Sequence, residues 1–142
     1  MTIAKNLLDV SEYSGEGYMP LVDFDAWRVA VLNYIDELLP ESLIAMQRHD
    51  ETDEVFVLLN GRCILFLGSG DEMIDEIYAE DLRPLKFYNV KKGCWHTHTL
   101  SKDAAVLIVE NRTTTSDNSP MIDLSAAQRH EIVNLAQQLW LA

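Results

Sequence analysis

Short apolar segments alternate with turn-forming residues along most of the chain. Apolar residues recur in segments 27–34, 73–78, 86–90 and 104–110, whereas glycine, serine, aspartate and lysine separate them at 68–71 and 91–93. Several short strands with frequent turns are typical of a β-sandwich or β-barrel. Over residues 27–34 the periodicity also permits a helix that begins near Asp25, but the aromatic and β-branched residues favour a strand.

Two apolar segments, 54–59 and 62–67, flank Asn60 and Gly61 and give the clearest local signal. Asn-Gly favours a two-residue hairpin, because a type I′ turn needs positive φ at both central residues. The predicted register pairs Leu58 with Cys63 and Phe56 with Leu65. One side of the hairpin then carries Glu54, Phe56, Leu58, Cys63, Leu65 and Leu67. The other side carries Val55, Val57, Leu59, Ile64 and Phe66.

Both sides of this predicted hairpin are apolar, whereas a sheet with one wet face alternates apolar with polar residues. We therefore expect one face to fill a barrel or sandwich interior. The other face is expected to pack against a second layer or a second subunit, and a homodimer is predicted on this ground.

The C-terminal segment predicts an α-helix over about residues 125–141. Ser125 and Gln128 have the spacing of a capping box. The apolar residues that follow at helical spacing are Ile132, Leu135, Ala136, Leu139 and Trp140. We expect this helix to cover the barrel mouth or an exposed sheet edge.

The composition narrows the range of partners. The chain has 142 residues with 11 Lys and Arg against 23 Asp and Glu, a net charge of −12. Nucleic acids and anionic lipids bind clusters of Lys and Arg, so neither is an expected partner. No apolar run approaches the roughly 20 residues of a bilayer span, and the N-terminus lacks the pattern of a signal peptide. We expect a cytoplasmic protein with one domain, residues 1–142, and two reduced cysteines.

Histidine and carboxylate side chains lie near the ends of predicted strands. His96 and His98 are two residues apart, so in an extended chain both point to the same side and can converge on one ion. Gln47 and His49 have the same spacing in a strand predicted over residues 42–49. Glu54 begins a strand with apolar neighbours on its face, which costs free energy unless the carboxylate is paired, protonated or metal-bound. The alternatives are hydrogen-bonded surface histidines and a Glu54 solvated at the strand end.

Two segments resemble the motifs of the cupin superfamily. In the first motif, G-x5-H-x-H-x(3,4)-E-x6-G, the matching residues are His49, Glu54 and Gly61. In the second motif, G-x5-P-x-G-x2-H-x3-N, the matching residues are Gly93 and His96. The resemblance covers about residues 42–110 and agrees with the all-β prediction.

The resemblance implies a small antiparallel jelly-roll barrel that holds a divalent metal on three histidines and a glutamate. Carried over residue by residue, the ligands are His49, Glu54 and His96. Gln47 stands where the family has the first histidine, so His98 is the candidate replacement ligand and Gln47 becomes a substrate-binding residue. Such a ligand set suits Fe, Mn, Ni or Zn. The other departures from the motifs are Glu41, Leu85, Lys91 and Leu100, which replace two glycines, a proline and an asparagine.

The stretch from Gly93 to His96 is also similar to the Gly-x-Trp-His segment of ureidoglycolate lyases, which are cupins. The resemblance implies a small polar ligand of the carboxylate or ureide type, bound in the barrel. It also implies a lyase, isomerase or hydrolase step in which Glu54 is a metal ligand or a general base. The alternative is a non-catalytic cupin that binds a ligand or another protein and has lost its metal.

Overall fold

The computed structural model describes residues 1–141, and ten strands in this part of the chain form two sheets. The first sheet contains Tyr18–Phe24 (β1), Trp27–Asn33 (β2), Glu54–Asn60 (β4), Tyr88–Val90 (β7) and Ala105–Asn111 (β9), in the order β1-β2-β9-β4-β7. The second contains Ala45–Gln47 (β3), Cys63–Gly68 (β5), Ile77–Asp81 (β6), Trp95–Leu100 (β8) and Met121–Asp123 (β10), in the order β10-β3-β8-β5-β6. Neighbouring strands are antiparallel in both sheets.

The main core lies between the two sheets, because alternate residues of each strand point towards the facing sheet. Its buried members include Ala30, Leu32, Phe56, Leu58, Val106 and Ile108 from the first sheet and Cys63, Leu65 and Leu100 from the second. The prediction of a small all-β jelly roll is confirmed. The two sheets stay separate instead of closing into one hydrogen-bonded barrel.

The segment around Asn60 and Gly61 is not a hairpin, so this prediction is wrong. Strand β4 pairs with β7 and β9, whereas β5 pairs with β6 and β8. The chain therefore crosses from one sheet to the other after Asn60, and only Gly61 has positive φ, at 69°. Leu58 and Cys63 are not paired across strands, yet both face the core from opposite sheets. The inner faces of both strands pack in the core between the sheets, and the outer face of β5 packs in a second core.

A second core lies between the outer face of the second sheet and an α-helix, Ala126–Leu141 (α1). Ile64 and Phe66 of β5 pack there with Ile132 and Ala136 of the helix. The predicted second layer over Ile64 and Phe66 is therefore this helix. It lies on the outer face of the second sheet and also contacts the edge strand β6, whereas a position over the barrel mouth or an exposed sheet edge was predicted.

The N-terminus of α1 has the predicted capping box. The Gln128 amide donates to Ser125 Oγ (3.1 Å), and the Ser125 amide donates to Gln128 Oε1 (2.9 Å). These reciprocal bonds satisfy two backbone donors at the helix start and explain why the helix begins there.

Most other predicted strands are present with different ends. Residues 27–33 form β2 and residues 105–111 form β9, close to their predicted ranges. The strand predicted over residues 42–49 is reduced to Ala45–Gln47, and Ser42 belongs instead to a 3₁₀ helix, Pro40–Ser42. The strand predicted over residues 73–78 lies at Ile77–Asp81 instead. Within residues 1–141, no helix combines the length and apolar character that a membrane crossing requires.

Candidate metal centre and its cavity

Three of the predicted ligands meet in the space between the sheets. His49 follows β3, Glu54 begins β4 in the facing sheet, and His96 is the second residue of β8. One ligand atom from each residue lies within 4.8 Å of the others, and all three residues are buried. Glu54 Oε1 is 3.0 Å from His96 Nε2 and 3.3 Å from His49 Nε2.

The outer nitrogen of each imidazole has its own partner. His96 Nδ1 donates to the carbonyl oxygen of Cys94 (3.0 Å), which can only accept. His49 Nδ1 lies 2.7 Å from Ser119 Oγ, and the Ser119 hydroxyl donates to Asn118 Oδ1 (3.3 Å), so the serine oxygen accepts from His49. Both Nε2 atoms are therefore directed towards the Glu54 carboxylate, as in metal-binding histidines whose second nitrogen is held by an outer partner.

The donor chemistry fits a divalent metal. In the neutral rings both Nε2 atoms carry lone pairs, and Glu54 Oε1 is an acceptor as well, so a positive charge has to lie among them. Two imidazole nitrogens and one carboxylate suit Fe, Mn, Ni or Zn. His49, Glu54 and His96 are the residues that would hold such an ion.

The pKa shifts of Glu54 and His49 also favour a positive charge at this position. Burial by itself raises the pKa of Glu54, but the hydrogen bonds from His49 and His96 outweigh it and hold that pKa well below its usual range. Burial lowers the pKa of His49, whereas the bond to Glu54 and its charge raise it, and the net shift is upward. A proton on His49 thus occupies the position that a metal cation would take.

A second buried carboxylate, Glu110 on β9, lies beside the cluster. Its Oε1 accepts hydrogen bonds from the Tyr18 hydroxyl (2.5 Å) and from Arg28 Nη2 (2.7 Å). Its Oε2 is 3.9 Å from His49 Nε2. Burial and the neighbouring Glu54 carboxylate raise the pKa of Glu110, and burial together with Glu110 raises the pKa of Tyr18.

Sequence reasoning did not identify Glu110, Arg28 or Tyr18 as site residues. One signal was available: Val106 and Ile108 are core residues, so position 110 continues the inward phase of an apolar strand. A glutamate at an inward-facing position indicates a candidate site residue, as it does for Glu54, because a buried carboxylate requires a partner.

A cavity of about 480 Å³ opens beside the cluster. Its lining residues include Tyr18, Arg28, Leu32, Ile35, Leu38, Gln47, Phe56, His98 and Glu110 in addition to the three cluster residues. Gln47 is paired with His96 in the β3–β8 register, so both predicted residues line the same cavity. Gln47 is not part of the three-residue cluster, and neither is His98.

His98 lies further along β8 on the same face as His96, as predicted. Its ring stands edge to face against Phe56, with the centroids 5.8 Å apart. Burial lowers the pKa of His98 to about 4, so the ring is neutral at physiological pH. Its Nδ1 is buried and has no hydrogen-bond partner within residues 1–141. This nitrogen is therefore an unsatisfied buried polar group next to the cavity.

Comparison with known proteins supports the fold. No protein-family model and no curated protein matches the sequence. A solved structure of a Streptomyces PAC13 variant with uridine has a TM-score of 0.56 and 9% identity and covers 80% of this chain and 84% of that chain. CapF from Staphylococcus aureus, a capsular polysaccharide assembling protein, has a TM-score of 0.57 and 15% identity over 80% of this chain and 34% of that chain. BH2720 from Bacillus halodurans has a TM-score of 0.51 and 12% identity over 70% of this chain and 73% of that chain.

These likenesses support the predicted fold, an antiparallel jelly roll of the cupin type. At such low identities the similarity is one of fold alone. The similarity to ureidoglycolate lyases stays a prediction.

Proposed function

From this cupin-type fold, we propose that the protein binds a small polar molecule in the cavity, next to a divalent metal held by His49, Glu54 and His96. The observation that carries the proposal is the position of Glu54 Oε1, which is 3.0 Å and 3.3 Å from two imidazole Nε2 atoms. The other nitrogen of each imidazole, Nδ1, forms a hydrogen bond with a partner outside the cluster. Such a cluster is suited to a cation.

A bound divalent metal supplies a Lewis acid that polarises a carbonyl or carboxylate oxygen. The chain's own residues then bind and orient the ligand. The Gln47 amide offers hydrogen bonds in the cavity wall, and the rings of His98 and Phe56 line the same wall. Glu54 is either a metal ligand or the general base of a lyase, isomerase or hydrolase step.

The cavity favours a ureide or an amide-like group over a free anion. Arg28 is the only Lys or Arg among the described residues that line it, and its charge is already paired with Glu110. Together with Glu54 the lining is acidic, which disfavours a carboxylate unless the metal is bound. The fold neighbour PAC13 was solved with uridine, whose ring contains a ureide carbonyl, and is named a nucleoside dehydratase.

The decisive experiment is the metal content of tag-free protein by elemental mass spectrometry, for the wild type, His49→Ala and His96→Ala. His130→Ala is the matched control, because this histidine is exposed on α1. We expect one transition metal per chain in the wild type and the control and none in the two site variants. Absence of metal after reconstitution with Fe, Mn, Ni and Zn would contradict the proposal and favour a metal-free ligand-binding or protein-interaction cupin.

The small-molecule part is tested by thermal shift with ureides, nucleosides and small carboxylates, each with and without the metal. Stabilisation of the wild type that His98→Leu and Gln47→Leu both lose supports binding in the cavity. Stabilisation that neither variant changes places the ligand elsewhere.

We also propose that the protein is a homodimer formed through the outer face of the first sheet. Phe24 and Trp27 on that face are 68% and 43% exposed, and Leu59 is 51% exposed. No helix of the described chain covers this face, whereas α1 covers the outer face of the other sheet. Ile64 is buried under α1 and is therefore not available for the interface.

Sedimentation velocity tests the dimer. Trp27→Glu is expected to convert a dimer into a monomer, because a carboxylate would be buried in an apolar contact. The matched control is Tyr78→Glu, at a similarly exposed position (54%) on the second sheet. A wild type that sediments as a monomer contradicts the proposal. The cytoplasmic location stays a prediction.

A further inference from the structure

The two carboxylate oxygens of Glu110 have different neighbours. Oε1 is fully engaged, since it accepts from Tyr18 (2.5 Å) and from Arg28 (2.7 Å). Oε2 lies 3.9 Å from His49 Nε2, just outside the group of ligand atoms that are all within 4.8 Å of one another, so a small movement of the side chain brings it to the ion. The side chain of Glu110 is only 4% exposed, so bulk water does not solvate this second oxygen. A carboxylate held by one oxygen presents the other in a defined direction.

The strand register brings Glu110 next to Glu54. In the β4–β9 ladder Val55 is opposite Val109 and Phe56 is opposite Ile108, so positions 54 and 110 are the next pair across. Both side chains point to the interior, as the alternate core residues of their strands do, and both line the same cavity. Two buried carboxylates lie side by side, and Arg28 pairs with Glu110 alone, which leaves the two short of positive charge.

We propose that Glu110 is a fourth protein ligand of the metal, through Oε2, alongside His49, Glu54 and His96. The proposal rests on the proposed function. Glu110 supplies a fourth donor in place of the imidazole that is missing at Gln47, from a position outside the residues that match the two motifs. A site with two imidazoles and two carboxylates favours the harder ions Mn²⁺ and Fe²⁺ among the candidates.

Tyr18 and Arg28 are then positioning residues. They hold Oε1 and contact the metal only through Glu110. Removal of the Tyr18 hydroxyl leaves Oε2 in place and the Arg28 ion pair intact, so it weakens metal binding without changing the set of ligands.

The test uses Mn²⁺ and Co²⁺ as probes on metal-stripped full-length protein. Mn²⁺ affinity is measured from the electron paramagnetic resonance signal of the free ion, and the Co²⁺ visible spectrum reports the ligand set. The variants are Glu110→Gln, Glu110→Asp, Glu54→Gln and Tyr18→Phe. Glu72→Gln, at an exposed loop position, is the matched control. Circular dichroism verifies that each variant is folded.

We expect Glu110→Gln to weaken Mn²⁺ binding by more than about 100-fold, beyond the roughly 10–100-fold that loss of an outer partner costs, and to change the Co²⁺ bands. Tyr18→Phe is expected to weaken binding by about 10-fold with unchanged bands. If Glu110→Gln fails to fold, Glu110→Asp retains the charge and retracts the oxygen, and the same change in the Co²⁺ bands is expected.

Unchanged Co²⁺ bands and an Mn²⁺ affinity within about 10-fold of the wild type in Glu110→Gln would overturn the fourth ligand while the proposed function stands, provided that Glu54→Gln still abolishes binding. A wild type that binds neither ion would overturn the proposed function as well. The two failures are therefore distinguishable.

Discussion

His96 Nε2 lies 3.0 Å from Glu54 Oε1, although the two residues belong to opposite sheets and are 42 positions apart in the sequence. The contact crosses the interior and closes the three-residue cluster. Because neither residue has its ligand atom in place unless the sheets are packed, the site exists only in the folded chain. Metal binding at this site and folding are therefore thermodynamically linked.

This linkage predicts that metal stabilises the protein. Mn²⁺ at about 100 times its dissociation constant is expected to raise the free energy of unfolding by about 2.7 kcal/mol. His96→Ala is expected to lose this increase, and His130→Ala to keep it. Urea unfolding with and without Mn²⁺ measures the difference. An equal increase in His96→Ala would place the ion outside the cluster.

The crossing between the sheets predicts that Gly61 does not tolerate a side chain. Gly61 has φ of 69°, and an added Cβ would lie 2.6 Å from Ala104 Cα and 2.7 Å from Ala104 N. Gly61→Ala is expected to cost about 2–4 kcal/mol, from backbone strain plus a clash with the main chain. Gly93→Ala is the control: its φ of 82° is similar, but nothing lies within 4 Å.

Urea unfolding of both glycine variants separates the two causes. Gly93→Ala carries only the conformational penalty of about 1 kcal/mol. If both variants lose the same stability, the close approach of Ala104 to Gly61 has no energetic effect.

The buried pair of Arg28 and Glu110 predicts a large effect when the arginine is lost. Their side chains are 16% and 4% exposed, at 2.7 Å. Arg28→Met is expected to cost about 3–5 kcal/mol at neutral pH, because it leaves a buried carboxylate without its cation. Lys91→Met, which breaks the exposed pair with Asp53, is expected to leave unfolding unchanged within error. Equal losses in the two variants would contradict the role of burial.

The buried thiol of Cys63 predicts a loss of stability at alkaline pH. Burial raises its pKa from 9.0 to about 12, so between these values the unfolded chain releases a proton that the folded chain keeps. The unfolded state then binds fewer protons, and stability falls by about 1.4 kcal/mol per pH unit from this group.

Unfolding free energies from about pH 8 to 11 measure that slope. Cys63→Ala is expected to show a shallower decline than the wild type, whereas Cys94→Ala, which retains Cys63, keeps the contribution of the buried thiol. A Cys63→Ala slope equal to that of the wild type would show that the thiol ionises equally in both states.

Local patterns predicted the inward positions well. Glu54, His96 and His98 are in phase with the apolar residues of their strands, and all three line the cavity between the sheets. Ser125 and Gln128 form the predicted capping box. These predictions hold because side-chain direction in a strand and capping at a helix start depend on residues a few positions apart.

The partners of each strand did not follow from the same patterns. Asn60 and Gly61 favour a hairpin locally, but β4 and β5 enter different sheets, where β4 packs into the core between the sheets and β5 is covered on both faces. That choice depends on competition among all strands of the chain, and a two-residue turn signal does not report it.

Periodicity and motif spacing depend on residues a few positions apart, so they predicted an all-β chain with a C-terminal helix and named His49, Glu54, His96 and His98 as candidate ligands. The packing of the two sheets brings His49, Glu54 and His96 together, and it places Glu110 beside them with hydrogen bonds from Arg28 and Tyr18. The reason is physical: which buried charges become neighbours depends on strand order and sheet packing, and these arise from contacts between residues far apart in the chain.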